Sequence, residues 1–151
     1  MYVASPLRTT HGNKHLHLGM LFSAYELNTP GVQGGDNTTV ILGDDSEPQP
    51  DLMLRVLPEY GGQSSTDFRN YVVGAPELVA EVALSSRSID LHGKRDDYLR
   101  FGVREYLVVS PTENKIIHLD MAANQEISIG SDGVLRVRNF PGFSREWIIL
   151  R

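Results

Sequence analysis

The sequence predicts an α/β (α+β) chain in which helices cover a sheet, and three observations carry that prediction. The runs Leu52-Met53-Leu54-Arg55-Val56-Leu57 and Leu78-Val79-Ala80-Glu81-Val82-Ala83-Leu84 have strand length and are apolar on both faces, as in strands covered on both sides. Apolar residues recur at spacings of three and four before the first run and after the second, the period of helices. From Glu105 onward, short strand-like runs alternate with turn residues, the pattern of a meander.

In chain order, Met1 to Pro6 reads as a short strand and Arg8-Thr9-Thr10 as a polar turn. From Gly12 to about Asn28, Leu16, Met20, Ala24 and Leu27 form a helical stripe expected to cover the sheet, and Thr29-Pro30-Gly31 ends it. Gly34-Gly35 reads as loop. Thr38 to Leu42 is β-branched and strand-like, and the acidic, turn-rich Gly43 to Gln49 leads into a strand opened by Pro50-Asp51, where proline is tolerated. Pro58 to Gly74, with Gly61-Gly62 inside it, is the candidate mobile loop bordering a site.

A helix is expected over Ile89 to Phe101, with Leu91, Lys94, Tyr98 and Phe101 facing inward and Arg95, Asp96 and Arg100 outward. Ser88 and Asp90 suit its N-cap and Gly102 its C-terminal stop. Glu105 to Ser110 is a buried strand, Pro111 to Asn114 a turn, and Lys115 to Leu119 the hairpin partner. Glu126 to Ile129 and Val134 to Val137 are short strands around Gly130-Ser131-Asp132-Gly133, before a final element around Trp147.

At 151 residues and 40% hydrophobic content the expectation is one domain with its own core. There is no cysteine, which excludes disulfides, thiolate metal sites and cysteine nucleophiles. No membrane-length apolar run or signal core is present, so the expected location is cytoplasmic. The net charge of -5 does not favour phosphate binding, although bound carboxylate-held cations reverse the local sign. Basic Arg87, Lys94, Arg95, Arg100 and Arg104 modestly outnumber Asp90, Asp96 and Asp97 in the stretch from 87 to 104.

Asp51 and Glu81 stand out chemically. A carboxylate inside the second apolar run must be paired, protonated or bound to a cation. Two acids on neighbouring strands with a lysine nearby make a minimal site for a divalent ion that hydrolyses phosphodiesters, and Lys94, on the inward stripe, is the candidate lysine. The plainer readings are a turn cap for Asp51, an ion pair with Arg87 or Lys94 for Glu81, and a snorkelling ammonium for Lys94. His11, His15 and His17 lack a third ligand at a familiar spacing and read as an exposed helix start. No nucleophile elbow, phosphate loop or dinucleotide fingerprint occurs.

Taken together and in order, Gln49-Pro50-Asp51-Leu52, the stretch from Tyr71 to Val82, Asp90 to Tyr98, Phe101-Gly102-Val103-Arg104-Glu105-Tyr106 and Pro141-Gly142-Phe143-Ser144 resemble the Uma-type family of restriction endonucleases. The resemblance implies the PD-(D/E)XK, restriction-endonuclease-like fold, a mixed sheet flanked by helices. It also implies Mg²⁺ or Mn²⁺ held by Asp51, Glu81 and the Val82 carbonyl, with DNA as the substrate and Lys94 as the catalytic lysine. The family's usual lysine position, two residues after Glu81 and on the same strand face, is Ala83 here, which is why a helix lysine is needed. Ala83-Leu84-Ser85-Ser86 also departs from the family pattern, and the N-terminal helix and hairpin ahead of Met1 to Pro6 are missing. Those departures imply a second class of function, an inactive nuclease-fold binding module, and an open sheet edge through which a homodimer could form.

Overall fold

The computed structural model describes residues 9–83 and 89–145, so the expectations for Met1 to Pro6, for Leu84-Ser85-Ser86, for Arg87 as a partner of Glu81, and for Ser88 and Trp147 lie outside the described residues. Helix α1 (Thr9–Asn28) is followed by β1 (Val32–Asp36), β2 (Val40–Ile41), β3 (Leu52–Val56), a 3-10 turn (Pro58–Tyr60), β4 (Ser65–Thr66), β5 (Val72–Val73) and β6 (Leu78–Val82). Then come α2 (Ile89–Phe101), β7 (Glu105–Ser110), β8 (Lys115–Asp120), β9 (Gln125–Glu126), β10 (Leu135–Arg136) and β11 (Ser144–Arg145). Among the described residues the central sheet has the order β1-β3-β6-β7-β8-β9. Its β6–β7 pair is parallel and the others antiparallel, so the sheet is mixed. A parallel pair needs a crossover, and α2 supplies it.

Side-chain alternation divides the core between the two faces. Leu52, Leu54, Leu78, Ala80, Val82, Leu107 and Val109 face α1, whereas Met53, Val79, Tyr106 and Val108 face α2. The expected inward stripe of α2 holds: Leu91 and Tyr98 are buried in the second cluster and Phe101 packs against it. Gly102 at φ 91° closes the helix, with its N–H donated to the Leu99 carbonyl and that of Val103 to Tyr98.

The expected stripe of α1 is corrected. Leu18 and Phe22 are the buried residues, while Leu16, Met20 and Leu27 are 70%, 57% and 81% exposed and Ala24 is exposed too. Aromatic packing decides the rotation. Phe22 meets Phe143 edge-on at 5.1 Å and Tyr25 meets Phe140 at 5.8 Å, contacts the rival stripe does not make.

Four more expectations change, the first being that Thr9 and Thr10, expected in a polar turn, open α1. Gly34 and Gly35 are not loop but lie within β1, and a Cβ on Gly35 would come within 2.6 Å of Met53 Cε, so strand and core meet too closely for a side chain. The stretch from Pro58 to Gly74 is not an unstructured loop, because β4 and β5 pair and β5 adds to β2 as a second, three-stranded sheet. Its two strands, of two residues each, are too short to show a period. Finally, the segments around 126 and 135 do not form one hairpin: β9 returns to β8, and β10 pairs with β11.

One buried polar cluster ties the chain's last part to the sheet. The Glu105 carboxylate, 1% exposed, meets His118 Nε2 at 2.6 Å and accepts hydrogen bonds from the Arg138 N–H, the Asn139 N–H and Asn139 Nδ2. Burial alone would raise its pKa, but His118 and the Asn139 and Arg138 donors together hold it below the ordinary value. Glu105→Ala orphans these donors in the interior and is expected to cost about 3–5 kcal/mol, read as a lower urea midpoint.

Candidate metal centre

Asp51 directly precedes β3, and the antiparallel register Leu52↔Ala80 continues to place Asp51 opposite Glu81. Both acids fall on the α2 face because they alternate with Leu52 and Ala80, which face α1. Asp51 is half-buried, and its Oδ2 accepts the Val82 N–H at 2.7 Å. The N–H and C=O of an extended residue leave the strand on the same edge, so the Val82 carbonyl is also directed towards Asp51.

Glu81 is 3% exposed. Its Oε1 accepts the Tyr98 hydroxyl at 3.0 Å and lies 3.3 Å from Lys94 Nζ. Lys94 and Tyr98 are one helical turn apart on α2, so both reach the same oxygen. The structure thus brings Asp51, Glu81 and Lys94 together, as the plain ion-pair reading of Glu81 also requires for Lys94. Tyr98 was missed as a site residue, although its i+4 spacing from Lys94 was the available signal. Ala83, half-buried against the α2 cluster, offers no amine at the alternative lysine position.

Burial pushes the Glu81 carboxyl up to about 7; Lys94 opposes the rise, Asp51 adds to it, and the Tyr98 hydrogen bond opposes it. Burial, then the charge of Glu81, raises Tyr98, which remains a hydroxyl donor. A rise in Glu81 from 4.5 to about 7 means that the folded chain keeps a proton which the unfolded chain releases over that window. Stability without added cation should therefore fall by roughly 3 kcal/mol in total as pH rises from about 4.5 through 7, and Glu81→Gln should remove that slope in urea titrations.

The donor set fits a hard divalent ion. Asp51 Oδ2 accepts the Val82 N–H and Glu81 Oε1 the Tyr98 hydroxyl, and each carboxylate carries a second oxygen that can serve as a ligand. No three His, Asp or Glu side chains converge anywhere among the described residues, so an ion here would rest on two carboxylates, a backbone oxygen and water, a habit of Mg²⁺. His15 does not join them; it pairs with Asp36 at 3.4 Å on the α1 side.

Residues 1–147 match the family described as Uma2, putative restriction endonuclease. The chain belongs to that family. The chain is similar in structure to a putative nuclease belonging to DUF820 from Anabaena variabilis, solved by crystallography, with a TM-score of 0.70 at 11% identity over 91% of this chain and 78% of the other. That likeness shows the restriction-endonuclease-like fold expected from the sequence. No curated protein matches the chain.

Proposed function

We propose that this Uma2 chain is a single nuclease-like domain that hydrolyses DNA phosphodiester bonds with Mg²⁺ or Mn²⁺, working as a homodimer in the cytoplasm. The observation that carries the reading is the meeting of Asp51, Glu81 and Lys94 at one end of the β3–β6 pair, on a fold shared with nucleases. No helix among the described residues is long and apolar enough to cross a membrane.

In this reading Asp51, Glu81 and the Val82 carbonyl hold the cation. When bound, it supplies Lewis acidity to water and positive charge to the scissile phosphate. Asp51 is oriented by the Val82 N–H, and Glu81 is fixed from the helix side by Tyr98, so neither acid must be reorganised on binding. Lys94 supplies a second positive charge beside Glu81, placed to neutralise the phosphate as negative charge develops.

Arg100 pairs with Asp45, whereas Arg95 and Arg104 donate to the neutral amides of Asn124 and Gln63 and keep their charge. Because the chain carries a net charge of -5 and the site itself holds two carboxylates, DNA affinity should depend strongly on the divalent ion. Added Ca²⁺ should tighten DNA binding in a filter assay, and chelation should weaken it. The direct test of the function is incubation of the chain with supercoiled plasmid and Mg²⁺ or Mn²⁺: nicked or linear product supports the reading, and intact plasmid under all conditions favours the inactive binding module.

A further inference from the structure

The turn joining β4 to β5 carries Phe68, which at 96% exposure is the most exposed large apolar side chain among the described residues. The turn itself is fixed. The Asp67 N–H donates to the Tyr71 carbonyl and the Asn70 N–H to the Asp67 carbonyl, while the Asp67 carboxylate accepts the Arg69 and Tyr71 N–H groups and Arg69 Nε. The Arg69 guanidinium lies 5.7 Å from the centre of the Phe68 ring and 5.1 Å from that of Tyr71, and its ion pair with Asp67 balances its charge. The tip is thus a positioned aromatic surface without net charge.

This turn stands at the same end of the molecule as Asp51 and Glu81 and on the same face. The chain enters β2 from Asn37, whose N–H donates to the Asp51 carbonyl, and from Thr39, whose hydroxyl accepts Gln49 Nε2. β5 runs parallel to β2 with Val72 beside Val40, so Tyr71 follows beside Thr39 and the tip projects past the entry to β2. Val40 and Val72 pack into the cluster on the α2 face, the face on which the two acids lie. Counted through these registers, Phe68 is roughly 20 Å from Asp51, about the length of six stacked bases.

We propose that Phe68 is a stacking platform for an unpaired base of a DNA strand held at the Asp51–Glu81 site, an inference that rests on the nuclease reading above. A protein partner needs contiguous surface of about 800 Å² on each side, whereas the exposed neighbours of Phe68 are Ser65, Thr66, Arg69 and Asn70. Tyr60, the other aromatic more than half exposed, lies over Gly31 at the far end of β3. A base needs only one ring face, and it must be out of the duplex to offer its own. Stacking also needs no positive field, which suits a chain with a net charge of -5.

The test is fluorescence anisotropy in Ca²⁺ with a labelled single-stranded oligonucleotide and an abasic strand of the same length, which keeps the phosphates and removes the bases. The parent should bind the first about 5- to 100-fold more tightly, Phe68→Ala should remove that preference and Phe68→Trp should keep it. The salt dependence should be the same in the parent and Phe68→Ala, because phosphate contacts are untouched, and Tm should not move, because the ring is almost wholly exposed. Equal binding of the two strands by the parent, or a preference that survives Phe68→Ala, would overturn the inference; self-association that depends on Phe68, without a base preference, would overturn it in favour of a protein contact. Plasmid cleavage judges the nuclease reading separately. A parent that nicks plasmid without a base preference loses the stacking platform alone, and one that shows the Phe68-dependent preference but nicks nothing keeps the platform and loses the nuclease.

Discussion

Replacing Glu81 with glutamine should abolish Mg²⁺-dependent cleavage while the chain still folds. The loss should be roughly 1,000-fold or more, since charge stabilisation by a metal is worth several kcal/mol and each 1.36 kcal/mol is tenfold in rate. The fold should survive because Glu81 is isosteric with the replacement and already sits near half-protonation at neutral pH. Tyr98 can still donate to the amide oxygen, and only the ion pair with Lys94 is lost. Removal of the side chain in Glu81→Ala is a harsher change, because it opens a void beneath α2 and strands Lys94 over an apolar layer. The useful contrast is between the two variants: activity lost in both with stability lost only in the alanine variant assigns Glu81 a functional charge. Unfolding of both would assign it a structural one.

The second large effect is expected at Lys94. Lys94→Met keeps the apolar stem and deletes the ammonium 3.3 Å from Glu81, so cleavage should fall by about 100- to 1,000-fold, the range for losing one positioned electrostatic donor. Lys94 also opposes the rise in the Glu81 pKa, so the variant should need a higher pH to bind Mn²⁺. Ala83 gives a way to separate charge from position. It lies on the same strand face as Glu81 and packs under α2, so Ala83→Lys in the Lys94→Met background should restore part of the rate. Restored cleavage would show that the site needs an amine facing Glu81 and is tolerant of which element delivers it. Unrestored cleavage with intact folding would tie the role to the helix position.

These effects rest on features that were legible to different degrees in the sequence. α2 and β7 could be read to the residue because Gly102 stops the helix and the strand is built on the apolar run Tyr106 to Val109, closed by Pro111 after Ser110. The approach of Asp51, Glu81 and Lys94 was legible for a related reason, since an acid in an apolar strand and a lysine on an apolar stripe are both out of place unless they meet. The orientation of α1 was not, because the helix carries apolar residues on opposite flanks and spacing alone cannot rank Leu16, Met20 and Leu27 against Leu18, Phe22 and Tyr25. The sheet residues of the first core cluster and Phe140 and Phe143, all far along the chain, select between them. β1 was hidden by its glycines, which weaken any strand signal, and β4 and β5 by their shortness. The segment they form is held by Arg55, buried in the sheet, which donates to the Ser65 carbonyl and Thr66 Oγ1, a contact with no local signature.

The central claim is that Asp51 and Glu81 together hold a divalent cation used for cleavage. The most direct test is calorimetric titration of Mn²⁺ into the parent chain, Asp51→Asn and Glu81→Gln, with each protein then incubated with supercoiled plasmid. Binding and nicking by the parent, both lost in each folded variant, is the predicted result. A parent that neither binds Mn²⁺ nor nicks plasmid, or variants that nick as well as the parent does, would contradict it.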